Sequence, residues 1–291
     1  MKDLHPEKLL FLKAGYNICV TVLLSFTWQI YPVVKCYQYT RYTCYSIALT
    51  GSEMALTVTG VQKFLDVTVS LPSFPLFCIY LVMIMLSPVW QRVTSPMQIR
   101  PLMIIHNFAC CFISIYCMLG FLYSIMLSES TFQLGPQPYL LPYYKMYWIT
   151  KVIELLDTVF MILRHRRRQI SFLHVYHHSS MLLLADSCYR LYPWPAMSVY
   201  FAVNSFIHVI LYLYYGLTAL FPDKSIPWKK NITQLQILQF LTLFVHATFG
   251  YLYHNYCVYG LLYGITMTTL FSNFYYAAYV KSKPEKSRKC E

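Results

Sequence analysis

A chain of 291 residues that is 57% hydrophobic and only 12% charged is not an ordinary soluble globule, in which about 25% of residues carry charge. Its formal charge of +12 sits in short basic runs between apolar segments, such as Arg164 to Arg168 and Lys229–Lys230. Those runs lack the interleaved aromatics of a nucleic-acid surface, so nucleic acid is excluded as a partner and the lipid bilayer is the main solvent. The basic loops also suit an acidic ligand.

In chain order, the first apolar stretch is Ala14 to Val34, preceded by Lys2, Lys8 and Lys13. It is long enough to span a membrane and reads equally as an extra span, a signal-like anchor or an amphipathic segment. Residues 37–66 read as a polar-aromatic linker. Crossing the hydrocarbon takes about 20 apolar residues. Seven candidate spans follow at 71–88, 101–127, 143–163, 171–190, 195–220, 233–254 and 257–280. The fold class is therefore all-α membrane protein, divided into an N-terminal extension (1–69), a transmembrane domain (70–282) and a basic tail (283–291).

Loop charge orients the spans. Arg92 and Arg100 follow the first span, Arg164 to Arg168 the third, Lys224, Lys229 and Lys230 the fifth, and Lys281 to Lys289 the last. The intervening loops are nearly free of Lys and Arg, so the basic loops and the C-terminus are placed in the cytosol. The ten cysteines form no CxxC pair, and Cys110, Cys111 and Cys117 read as packing residues inside a span.

Ionisable groups at membrane depth are expensive and tend to face the bundle interior. Span three carries Lys151, Glu154, Asp157 and Thr158 on one helical face, and span four carries His174, His177 and His178. Span five carries Asn204, His208, Tyr212 and Tyr215, and span six opens with Thr233, Gln236 and Gln239. Each stripe alone is compatible with a helix–helix hydrogen-bonding contact. Four on consecutive spans predict a polar chamber.

Three chemistries compete for that chamber. A membrane di-iron desaturase or hydroxylase also uses His-x-x-His-His, but needs about eight ligating histidines, and this chain holds nine in all with most of them isolated. A single zinc on the same cluster is a related option. A seven-span transporter or receptor explains the span count and leaves the histidines unexplained. Acyl transfer uses imidazole as nucleophile and as acid–base, with Asp157 and Glu154 orienting the rings.

Taken together, Lys151-x-x-Glu154-x-x-Asp157-Thr158, His174-Val-Tyr-His177-His178, Asn204-x-x-x-His208 ahead of Tyr212, Tyr214 and Tyr215, and Thr233-x-x-Gln236-x-x-Gln239 resemble the ordered signature of the ELO-type very-long-chain fatty acid elongases. The resemblance covers residues 70–282. It implies seven helices, six of them in a barrel around an acyl tunnel. It implies a 3-oxoacyl-CoA synthase that condenses acyl-CoA with malonyl-CoA, with no cofactor or metal beyond that co-substrate. His177 is then the candidate for the acyl-imidazole, His208 its assistant, and His174 and His178 complete the polar centre. Lys151, Asn204 and the basic loops are the candidates for coenzyme A contact; Glu154, Asp157, Tyr212, Tyr215, Gln236 and Gln239 line the substrate site. Self-association and association with other elongation-cycle enzymes are compatible with the resemblance.

Departures from the family pattern are small. Leu211 stands where the family usually has Met, and Ser128 to Pro142 lacks the cysteine that many animal members pair to the position of Cys257, so no luminal disulfide is expected. Gln169 and Tyr176 are similar to the branch that elongates polyunsaturated chains. Arg288 and Lys289 are similar to a dibasic retrieval signal, implying the endoplasmic reticulum. Asn231-Ile-Thr233 fits a glycosylation acceptor, but lies in a loop placed in the cytosol and is expected to stay unmodified.

Overall fold

In a computed structural model, residues 66–256 and 258–281 are described. The 14–34 segment, all of the linker but its last residue Asp66, Cys257 and the tail beyond Lys281 lie outside them. The described residues are helical, without strands: α1 (Phe74–Val93), α2 (Arg100–Leu127), α3 (Leu141–Glu154), α4 (Leu156–Leu163), α5 (Phe172–Leu191), α6 (Pro195–Leu220), α7 (Lys229–Tyr253) and α8 (Tyr259–Tyr275), the last continuing as a π-helical turn, Tyr276–Val280.

Four of them start with Pro in the first turn, where a missing N–H costs nothing: α1, α2, α3 and α6. At the start of α5 the Ser171 hydroxyl instead accepts the His174 N–H at 3.2 Å, so the helix carrying the histidine box is capped by a side chain one turn from its first histidine. Four helices, α1, α2, α6 and α7, are long and apolar enough to cross a membrane by length and composition. On α2, Ile105, Phe112, Leu119 and Met126 recur every seven residues, and all four are exposed. Such a stripe is unstable in water and natural in lipid. The other expected spans are the polar ones: α3 and α4 divide one of them, α5 holds the histidines, and α8 is shorter.

That division corrects the expectation of one continuous helix over 143–163. Helix α3 ends at Glu154, a turn at Leu155 intervenes, and Leu156 starts α4; the Thr158 N–H bonds to Leu155 O at 3.1 Å rather than one residue further back. The two acidic residues of the stripe flank this turn.

Packing runs α2 on α6, α6 on α7, α7 on α8, α8 on α5, α5 on α3 and α3 on α2, while α1 lies against α5 and α4. The α2–α6 pair is tied at one end by Arg100, whose guanidinium donates to the carbonyls of Ala219 (2.7 Å) and Leu220 (2.9 Å) and so caps α6. Gly216 keeps these helices close, since a Cβ there would stand 3.1 Å from the Phe108 ring. Cys110, Cys111 and Cys117 are buried in apolar clusters, as packing residues should be.

The opposite end is held by a knot around Asp186, which is fully buried. Its carboxylate accepts the Ser73 N–H (2.9 Å) and the Arg190 Nε–H (2.6 Å); Trp148 Nε1 donates to Ser73 Oγ (2.7 Å), and the Arg190 guanidinium lies over the Trp148 and Tyr189 rings. Asp186→Ala removes the acceptor shared by α1 and α5. It is expected to cost about 3 kcal/mol, the low end for a broken buried pair because Arg190 is 36% exposed, read as a lowered melting temperature in detergent.

Candidate active site

Three of the four polar stripes meet inside the bundle, as two carboxylate-centred networks beside the histidine box. The first is built on Glu154, 1% exposed, and Lys151, 3% exposed. Lys151 Nζ donates to both carboxylate oxygens of Glu154 (2.8 and 3.0 Å) and to Asn204 Oδ1 (3.2 Å), which also accepts the Tyr147 hydroxyl (2.7 Å). His208 Nδ1 lies 2.9 Å from Glu154 Oε1. A carboxylate only accepts, so this nitrogen donates to Glu154, with Lys151 Nζ 3.4 Å from the same atom. The Nε2 edge is thereby turned away from Glu154.

The second network is built on Asp157. Its Oδ1 is 3.0 Å from His106 Nε2 and its Oδ2 accepts the Tyr212 hydroxyl at 2.7 Å. The next residue, Thr158, has its hydroxyl 2.8 Å from His174 Nε2 and 3.0 Å from the Tyr80 hydroxyl. The His174 and His178 rings lie 4.3 Å apart, and the His177 ring is 5.6 Å from His178 and 6.4 Å from His208. The three histidines of α5 and His208 of α6 thus form one cluster, fixed from the α3–α4 side by Glu154 at His208 and by the Thr158 hydroxyl at His174.

His177 differs from its neighbours. Its Nδ1 is buried without a hydrogen-bond partner, whereas the ring as a whole stays part-exposed, with Phe271 of α8 set edge-on at 6.1 Å. Among the described residues neither the His177 nor the His178 ring makes a side-chain hydrogen bond, but His178 is buried against His174, whereas the part-exposed His177 keeps an edge free to meet a substrate. Among the same residues, no group of three His, Cys, Asp or Glu side chains is arranged as a metal-ligand set.

Other expected residues fall differently. Lys151 Nζ and Asn204 Oδ1 are engaged within the network. Tyr215 sits one turn beyond Tyr212, touching it by ring edge at 6.2 Å, and is 41% exposed. Gln239 is buried and Gln236 half-buried on α7, and neither makes a side-chain hydrogen bond to the histidines among the described residues. Gln169 is exposed in the turn before α5, while Tyr176 is fully buried with its ring stacked on Phe172. In the basic loop, partial burial pulls the pKa values of Arg164 and Arg167 below the usual guanidinium range, helped by Arg166 and Arg92 respectively; both stay charged at neutral pH.

Sequence reading missed three members. His106 looked isolated, and Tyr147 and Tyr80 looked like ordinary span aromatics. The available signal was His106 itself, an ionisable residue at membrane depth on an otherwise apolar helix.

Comparisons with known proteins bear on the family. The profile of the family described as ELO: GNS1/SUR4 matches residues 67–287. Very long chain fatty acid elongase 1 of Mus musculus is 36% identical over 207 residues, covering 65% of this chain and 74% of the relative. Very long chain fatty acid elongase 4 of Homo sapiens is 34% identical over 246 residues, 75% of this chain and 74% of the relative. Very long chain fatty acid elongase 5 of Macaca fascicularis is 31% identical over 227 residues, 72% and 75%. Neither the oxidase nor the transporter reading is favoured by these matches. Four apolar helices, a buried histidine cluster and a profile spanning most of the chain lead to one assignment: this protein belongs to the ELO (GNS1/SUR4) family and is a membrane-embedded fatty acid elongase of the 3-oxoacyl-CoA synthase type.

Proposed function

We propose that this elongase joins a long, polyunsaturated acyl-CoA to malonyl-CoA through an acyl group carried on His177, inside a six-helix barrel that encloses the chain. The observation that carries the reading is the part-exposed His177 ring, 6.4 Å from the ring of His208, whose Nδ1 is held by Glu154. The cyclic packing order of α2, α6, α7, α8, α5 and α3 supports the barrel, with α1 outside it.

In the first step the open edge of His177 attacks the thioester carbonyl. The C–S bond breaks, and the imidazole proton passes by way of His208 Nε2 to the departing thiolate, giving free CoA. Malonyl-CoA then loses CO2, and the electron pair of that C–C bond becomes the enolate of an acetyl thioester. The enolate carbon attacks the acyl carbonyl, the C–N bond to His177 breaks, and a proton from water restores neutral imidazole. The products are 3-oxoacyl-CoA, CO2 and CoA. This route calls for no cofactor beyond malonyl-CoA. The basic residues of the loop after α4, with Arg92 and Arg100, form the cytosolic mouth that receives the CoA phosphates, and the dibasic tail keeps the protein in the endoplasmic reticulum.

Gln169 and Tyr176 support the choice of polyunsaturated chains. The test supplies purified protein with labelled malonyl-CoA and matched saturated and polyunsaturated acyl-CoAs of equal length. A product two carbons longer, formed faster from the polyunsaturated chain, is expected. Equal rates remove the specificity, and no product at any chain length from folded protein removes the condensation.

A further inference from the structure

We propose that His106, on α2, is a positioning residue of the condensation site, acting through Asp157 and Tyr212 to hold His208. His106 belongs to none of the four motif stripes, and the route above gives it no task. Its side chain is nevertheless 4% exposed within a spanning helix, with its ring fixed on three sides. Nε2 lies 3.0 Å from Asp157 Oδ1, and the ring stands edge-on to Phe160 (5.1 Å) and to Tyr212 (6.1 Å). Towards its own helix it meets the Cys110 sulfur, 3.7 Å from Nε2 and 4.0 Å from Nδ1.

Facing a carboxylate, Nε2 is the protonated nitrogen and donates to Asp157. The same carboxylate accepts the Tyr212 hydroxyl with its other oxygen, and the Tyr212 ring lies 5.7 Å from the His208 ring. The chain of contacts is therefore His106, Asp157, Tyr212, His208, running from α2 through α4 to α6. It mirrors the Glu154–His208 contact one helical turn away, where a carboxylate also fixes an imidazole. With two acceptor oxygens and two donors, Asp157 is held from both sides. Removing His106 leaves it held only by Tyr212 and free to turn. Tyr212 then loses a fixed anchor, and the wall that keeps His208 aimed at His177 loosens.

The inference rests on the proposed condensation, so the experiment carries one readout that depends on turnover and one that does not. His106→Phe keeps an aromatic ring against Phe160 and Tyr212 but cannot donate to Asp157. His106→Gln restores an N–H donor without a ring. Measured in the full-length protein, His106→Phe is expected to lower kcat about ten-fold or more with KM within about two-fold, and His106→Gln to recover most of the loss, because the missing element is a hydrogen bond to a part-buried carboxylate. Tyr212→Phe combined with His106→Phe should cost little more than either alone, since both act through Asp157. Independently of any substrate, carbethoxylation of His208 by diethyl pyrocarbonate, followed by peptide mass, should be faster in His106→Phe than in wild type and near wild type in His106→Gln.

Two results overturn the proposal: unchanged His208 reactivity in His106→Phe, or failure of His106→Gln to recover what His106→Phe loses. If wild type itself makes no condensation product, the carbethoxylation rates still decide whether His106 positions His208, and the loss then falls on the parent reading alone.

Discussion

His177→Ala is expected to abolish condensation, by about a thousand-fold or more, and to remove the covalent step on which condensation depends. The measurement needs no malonyl-CoA. Wild-type protein mixed with acyl-CoA alone should release one equivalent of CoA and gain the mass of the acyl group on the peptide of α5 that holds His177; the variant should do neither. Structure makes this substitution a clean one. The His177 ring has no hydrogen-bond partner at Nδ1 and is part-exposed, so its loss strands no other polar group. The fold should survive, and a melting curve close to wild type would show that it does. Turnover within ten-fold of wild type would move the nucleophile elsewhere in the cluster, with His208 the next candidate because Glu154 orients its ring.

Glu154→Ala should do the opposite, damaging stability and activity together. Glu154 and Lys151 are both almost fully buried and bonded at 2.8 and 3.0 Å, and the same carboxylate holds His208 Nδ1. Alanine leaves the Lys151 ammonium in the bundle with no counter-charge, at a cost of about 3–5 kcal/mol. The decisive comparison is the double variant Lys151→Met with Glu154→Ala. With both charges gone, the desolvation penalty disappears and stability should return most of the way. Turnover should not return, because His208 still lacks the acceptor that fixes its tautomer. Melting in detergent and kcat, measured on the same preparations, separate the two effects. A single variant that melts like wild type would show that the pair is not desolvated. A double variant that regains turnover would take from Glu154 its role in orienting His208.

Several of these residues were legible before any coordinates, and the reason is energetic. A charge or an imidazole at membrane depth costs so much that it persists only where something inside the bundle receives it, so Lys151, Glu154, Asp157, the three histidines of α5 and His208 announce themselves by being there at all. Helical spacing then places each set on one face, and the structure brings these faces together. The same signal was present at His106 but stood alone, without neighbours at helical spacing, so its partner on another helix could not be named. Gln236 and Gln239 make no side-chain hydrogen bond to the histidines among the described residues, and their substrate contact is a proposal. Their spacing matched the motif, yet spacing on one helix carries no information about which side chains of another lie within 3 Å.

From composition and periodicity alone this chain is an all-helical membrane protein with its polar chemistry gathered on four successive spans, because the bilayer penalises any other placement of those residues. The ends of α2, α5 and α6 follow from their prolines, their serine cap and their length, all local properties. What only the tertiary structure decided is how the polar groups are paired. The break at Leu155, which sets Glu154 and Asp157 on either side of a turn, is one such decision. Others are the commitment of Lys151 to Glu154, the recruitment of His106 and Tyr80 from α2 and α1, and the Asp186 knot that ties α1 to α5 across 113 residues of sequence. Each depends on distances between helices far apart in the chain, and those distances are set by the packing of many side chains at once rather than by any one stretch of residues.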